Sequence, residues 1–203
     1  GWMRQLLQKK ESAEVPHKAD FELALGKIEK GIERARKITH HLLGFVRKEG
    51  SAFSEVDLKT LLEEAVGLVN RDARNKEIEI VIPPGSPSCI IWSDPYPLRQ
   101  VLINLLTNAI HATGAGGKIT LSIEEMAEEI MLTVADPGQG IPKENMEKIF
   151  EPFFSTKAPR EGTGLGLFVS RGIVEKLGGT IRVESKLGQG SRFIIRLPKG
   201  PVK

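Results

Sequence analysis

Asn104-Leu105-Leu106-Thr107-Asn108-Ala109 lies inside an apolar run that opens at Asp94-Pro95 and continues to Ile110. An Asp cap followed by Pro is a helix-start signature, so a helix is predicted from Asp94-Pro95 through Ile110. Asn104 and Asn108 are four residues apart and share one face of it. Two neutral amide oxygens on one face can offer hard ligands to a cation, or can bond within the helix packing. Upstream, residues 53–57 read as a short strand, Asp57 caps a helix from Leu58 to about Ala73, and Glu77 to Ile82 alternates as a strand. After the Pro83–Pro87 turn, Cys89 to Trp92 is another short strand. Downstream, Lys118 to Ile123 and Ile130 to Ala135 are strands joined around Met126-Ala127, and a stretch rich in Gly and Pro runs on to Gly162. Leu165 to Leu177 is a helix ended by Gly178-Gly179, and Thr180 to Glu184 pairs with Arg192 to Leu197 around Gly188 and Gly190. Strands and helices mix without strict alternation, which predicts an α/β two-layer sandwich.

The N-terminal part has another character. Residues 1–10 read as the tail of a helix. Asp20 caps a second helix running to about Lys48, in which Leu25, Ile28, Ile32, Ala35, Thr39, Leu42 and Val46 form a heptad seam. Gly50-Ser51 marks the boundary, giving a helical region over 1–50 and a sandwich domain over 51–203. Such a seam demands a packing partner.

Composition narrows the function. The chain has 203 residues, 40% hydrophobic and 27% charged, the profile of a folded protein. Its 29 Lys and Arg are nearly balanced by 26 Asp and Glu, so no strong field favours nucleic acid as a partner. One cysteine, Cys89, rules out an internal disulfide and suits a reducing, cytoplasmic setting. No run approaches the ~20 apolar residues of a bilayer span.

Most of the 21 glycines follow Gly114. Gly116-Gly117-Lys118 lacks the upstream glycine and the following hydroxyl of a Walker loop, and no segment completes a dinucleotide fingerprint. Four other segments occur in order: Asn104 to Ala109, Asp136-Pro137-Gly138-Gln139-Gly140-Ile141, Phe150-Glu151-Pro152-Phe153-Phe154, and Gly162-Thr163-Gly164-Leu165-Gly166-Leu167. Together they resemble the N, G1, F and G2 boxes of the sensor histidine kinase catalytic domain, in the GHKL superfamily of ATP-binding domains. The resemblance covers roughly residues 51–198. Gly188-Gln189-Gly190-Ser191 is similar to the family's last glycine box, and Ser155-Thr156-Lys157 follows the F box as in the nitrogen-regulator-like branch.

The resemblance implies ATP and Mg²⁺ as cofactors. It assigns the metal to Asn104 and Asn108, and the exocyclic amine of adenine to Asp136. Gly138 and Gly140 let the backbone close on the base, with Ile141 beside them. Thr163, Gly164, Leu165, Gly166 and Leu167 lead into a helix whose free amides favour phosphate oxygens. Phe153 of the F box is assigned to the ATP site, and the segment between Phe154 and Gly162 resembles a mobile ATP lid. Lys157 and Arg160 within it reach phosphates or remain solvated, and His111 is a phosphate contact or a structural histidine. Hydrolytic members of the superfamily carry a Glu base where this chain has Asn104, which implies transfer to an outside nucleophile, not hydrolysis. The competing readings are a nucleotide-gated interaction module without transfer activity, and a serine kinase or ATPase of the same superfamily.

The family's acceptor histidine stands in an H box, and none of His17, His40, His41 or His111 matches one. Residues 34–48 instead resemble the second helix of the dimerising hairpin. The expectation is a fragment that binds ATP, forms a homodimer through its helical region, and phosphorylates an H-box helix supplied by its own parent chain or partner subunit. The phosphoryl group would then pass to a response regulator receiver domain.

Overall fold

The computed structural model describes residues 22–29, 31–32, 53–156 and 163–200. The chain divides into two compact units, Gly1–His40 and His41–Lys203. In the first, residues 22–29 and 31–32 are helical, inside the span predicted from Asp20 to Lys48. The remaining readings on residues 1–50, and those on Lys157, Arg160 and Gly162, lie outside the described residues.

In the second unit, β1 (Ser54–Asp57) leads directly into α1 (Leu58–Asn75), then β2 (Glu79–Val81), β3 (Ile90–Ser93) and α2 (Pro95–Ala112). The antiparallel pair β4 (Lys118–Glu125) and β5 (Glu129–Asp136) follows. Single 3₁₀ turns at Lys143–Asn145 and Lys148–Phe150 punctuate the Gly- and Pro-rich stretch, before α3 (Gly166–Lys176), β6 (Thr180–Lys186) and β7 (Gly190–Pro198).

Local chemistry sets these boundaries. Asp57 caps α1, accepting from the Lys59 amide at 3.2 Å and the Thr60 hydroxyl at 2.7 Å. Asp94 caps α2 through the Tyr96 amide at 3.1 Å, with Pro95 inside the first turn, where its missing N–H is harmless. At the end of α1, Glu77 adopts φ 58°, and the amide of Ile78 bonds back to the Ala73 carbonyl. The strand expected from Glu77 therefore begins only at Glu79, because its first two residues close the helix.

The main sheet has the order β2-β4-β5-β7-β6, parallel only between β2 and β4. β1 and β3 form a separate antiparallel pair. Period-two alternation buries Ile119, Leu121 and Ile123 of β4, Ile130, Leu132 and Val134 of β5, and Phe193, Ile195 and Leu197 of β7. The helices cover the core. α1 contributes Leu58, Leu61, Leu62, Ala65, Val69 and Ala73, while α2 contributes Leu98, Val101, Leu102, Leu105, Leu106, Ala109 and Ile110. Helices on one side of a mixed sheet make the two-layer α/β sandwich read from the sequence.

Candidate functional site

The apolar face of α2 fixes the direction of its polar one. With Leu105, Leu106 and Ala109 in the core, Asn104 and Asn108 remain half-buried on the flank. The Asn104 amide nitrogen donates to the carbonyl of Gly166 at 3.4 Å and to the hydroxyl of Ser170 at 3.3 Å. A carbonyl can only accept, so this contact defines which way the amide is turned. Its oxygen, Oδ1, is the atom left to meet a cation. Gly166 is also the first residue of α3, and that helix begins at Leu165 without a side-chain cap. Its N-terminal amides and dipole form a positive end beside Asn104, suited to phosphate oxygens.

Eight residues further along α2, about 12 Å at the helical rise, the Ala112 carbonyl accepts from the Gln139 amide at 3.2 Å. Here the turn after β5 is wedged against the helix end. A Cβ on Gly138 would stand 2.6 Å from the Ala112 carbonyl carbon. Gly140, at φ 71°, would place one 2.7 Å from the carbonyl carbon of Lys186. Only glycine lets this turn lie between α2 and the β6–β7 connection. The Gly188 amide donates to the Gln139 carbonyl at 2.7 Å, and the Ile141 amide donates to Ser185 Oγ at 2.8 Å.

Asp136 ends β5 at the floor of this turn, buried, with Oδ1 accepting from the Gly138 amide at 2.9 Å. Burial pushes its carboxyl pKa up, against the opposing pull of the Gly138 and Ser191 amides. It remains a polar acceptor on an otherwise apolar face, suited to a group that brings its own donor.

Between these ends, Phe153 and Gly164 meet. Both are left-handed, at φ 66° and 67°, and a Cβ on Gly164 would stand 2.6 Å from the Phe153 carbonyl oxygen. Phe153 is 73% exposed. Thr163 Oγ1 accepts from the Leu165 amide at 3.3 Å. Leu165 is buried, while Leu167 and Ile141 pack half-buried against the core. His111, exposed on α2, lines a cavity of about 330 Å³ with Asp72, Asn75, Lys76, Thr107 and Ile110, where α1 and α2 meet.

Asn104, Asp136, Gly138, Gly140, Ile141, Gly164 and Gly166 thus line up along the C-terminal half of α2. Ser170 and Ser185 join them without having been singled out from the sequence. Ser185 carried a signal, because it continues the inward alternation of Ile181 and Val183 on β6 as a polar residue.

Residues 93–201 match the family described as histidine kinase-, DNA gyrase B-, and HSP90-like ATPase. The sensor histidine kinase ZraS of Klebsiella oxytoca is 40% identical over 167 residues, which are 82% of this chain and 36% of that protein. The catalytic domain of histidine kinase ThkA superposes with a TM-score of 0.67 at 39% identity, over 73% of this chain and 97% of that one. Histidine kinase ThkA in complex with response regulator protein TrrA gives a TM-score of 0.70 at 29% identity, over 98% and 56%. The fold and the site define a GHKL-type ATP-binding domain. More narrowly, the chain belongs to the histidine kinases, of which it carries the catalytic ATP-binding domain. It spans about a third of the length of the curated relative named above. Among the described residues, no helix is long and apolar enough to cross a membrane.

Proposed function

We propose that the surface along α2 between Asn104 and Ala112 binds ATP with Mg²⁺ and transfers the γ-phosphoryl group to a histidine on an H-box helix outside this chain. One observation carries the reading. A single helix, α2, touches the uncapped start of α3 through Asn104 and the glycine turn at Asp136 through Ala112. Its two contact points provide a phosphate end and a base end on one rigid element.

The residues present fit the two groups. Asn104 and Asn108 would hold the cation through amide oxygens beside the phosphates. Asp136 would accept from the adenine amine, and the α3 N-terminus with Thr163 to Leu167 would receive phosphate oxygens. Bound Mg²⁺ supplies charge neutralisation at the terminal phosphates, which phosphoryl transfer needs more than covalent help. An amide at Asn104 takes no proton from water, so the site aligns the nucleotide for an outside acceptor. A neutral imidazole is competent there: its nitrogen bonds to phosphorus as the bond to the β-phosphate oxygen breaks, and its ring N–H gives up the proton. The assembly of ThkA with TrrA supports a response regulator receiver domain as the next recipient. The heptad pattern of residues 25–46 supports homodimerisation through the helical region.

Calorimetric titration of the 203-residue chain with ATP and Mg²⁺ tests the site, and transfer of labelled phosphate to an added H-box domain tests the reaction. Saturable binding is expected, with adenine selectivity lost in Asp136→Ala. Absence of any binding heat from folded protein overturns the reading. Binding without transfer leaves a nucleotide-gated module in its place.

A further inference from the structure

The registers of β5, β7 and β6 set Asp136 opposite Ser191 and Ser191 opposite Ser185. Directly paired residues on antiparallel strands project to the same face, so these three side chains form a row across one end of the sheet. Val134 and Phe193, two residues away on their strands, are buried on that same face. The row is therefore a polar strip at the edge of an apolar layer, directly beneath the Gly138–Ile141 turn.

Counting protons along the row gives each hydroxyl a definite direction. Ser185 Oγ accepts from the Ile141 amide at 2.8 Å, lies 2.8 Å from the Gly190 carbonyl oxygen, and lies 3.0 Å from Ser191 Oγ. A serine has one proton to donate. Gly190 offers only a carbonyl acceptor, so the Ser185 proton goes there. The remaining contact then requires Ser191 as donor to Ser185. With its single proton spent, the Ser191 hydroxyl meets any further group only as an acceptor, alongside the acceptor Asp136.

We infer that Ser185 is a positioning residue that fixes Ser191 as an acceptor, so that the base end selects a purine bearing a 6-amino donor over one bearing a 6-oxo group. The inference rests on the nucleotide-binding reading above. Ser185 also ties the Ile141 amide to β7, but that bracing affects both purines alike. Among the effects of Ser185, only the direction of the Ser191 proton distinguishes them. Removing the Ser185 hydroxyl frees that proton to turn toward a 6-oxo oxygen.

The test titrates the 203-residue chain with ATP and with inosine triphosphate, its 6-oxo counterpart, in the presence of Mg²⁺. Wild type is expected to prefer ATP by at least about tenfold, the worth of one good hydrogen bond. In Ser185→Ala that ratio falls by up to about tenfold, leaving only the part owed to Asp136, while Ser185→Thr, which keeps the hydroxyl, retains it. Ser191→Ala provides a second route: it loses the same discrimination, and adding Ser185→Ala to it changes the ratio no further. Equal weakening of both nucleotides in Ser185→Ala, with the ratio intact, overturns the inference and leaves Ser185 a brace. If Ser185→Ala does not fold, a Ser191→Ala variant with undiminished preference overturns it instead. Failure of wild type to bind either nucleotide refutes the nucleotide-binding reading itself, a result distinct from an unchanged ratio.

Discussion

Gly164→Ala and Gly85→Ala form a matched pair that separates backbone strain from site geometry. Both glycines are left-handed, at φ 67° and 91°, so an alanine at either costs about 1–2 kcal/mol of stability through the Cβ alone. At Gly85 the new methyl meets nothing within 4 Å. At Gly164 it would stand 2.6 Å from the Phe153 carbonyl oxygen and 2.8 Å from its Cα, where ordinary contact begins near 3.4 Å. The two backbones must part by roughly 1 Å, and Phe153, itself at φ 66°, has little freedom to yield in place. A 1 Å misplacement of a positioning segment costs on the order of a hundredfold in function. Urea midpoints should fall in both variants, and further in Gly164→Ala, where the clash with the Phe153 backbone adds to the strain of the left-handed Cβ. ATP affinity, measured by calorimetry with Mg²⁺, should be unchanged in Gly85→Ala and drop between ten- and a hundredfold in Gly164→Ala, as roughly expected from that displacement. Wild-type affinity in Gly164→Ala, or an equal loss in Gly85→Ala, would refute the assignment of this contact to the nucleotide site.

Two further substitutions probe carboxylates with opposite roles. Burial raises the folded pKa of Asp136 above its ordinary value, so its contribution favours the folded state at low pH and is lost as pH rises through the raised value. Asp136→Asn should therefore flatten the decline of nucleotide-free stability as pH rises above the ordinary carboxyl range, while weakening ATP binding. Parallel pH profiles for variant and wild type would contradict the burial argument. Asp57 behaves in the opposite sense: hydrogen bonds from Thr60, Ser88 and Lys59 lower its pKa, giving stability that is present above the ordinary carboxyl range and fades as pH falls through the lowered value. Asp57→Ala should cost about 1 kcal/mol at neutral pH, with the difference shrinking in acid, read by thermal unfolding.

Local chemistry explains which features were legible before the structure. The caps at Asp57 and Asp94 and the turn of Gly178-Gly179 act within a few residues, and α1, α2 and α3 fall close to their expected spans. The two 3₁₀ turns escaped because one turn has no periodicity to detect. β2 came out shorter because the left-handed Glu77 belongs to the end of α1, a matter of tertiary closure. Parallel pairing of β2 with β4, and the separate β1–β3 pair, depend on contacts far apart in sequence. Among site residues, the four glycine and asparagine boxes were recognisable as segments, but the orientation of the Asn104 amide depends on Gly166 and Ser170, more than sixty positions away. His111 lies seven residues beyond Asn104, about 20° from it around the helix, so periodicity alone puts it on the Asn104 face, and the structure adds that it lines the cavity against α1.

Asn104 and Ala112 are held two helical turns apart by covalent geometry, not by any flexible connection. The helix acts as a gauge block for whatever lies along it. Surface connections elsewhere in the domain can lengthen or shrink over evolutionary time without altering that interval. Insertion or deletion of a single residue between positions 104 and 112 cannot be absorbed in this way, since it would swing one end of the site about 100° around the axis while leaving the other in place.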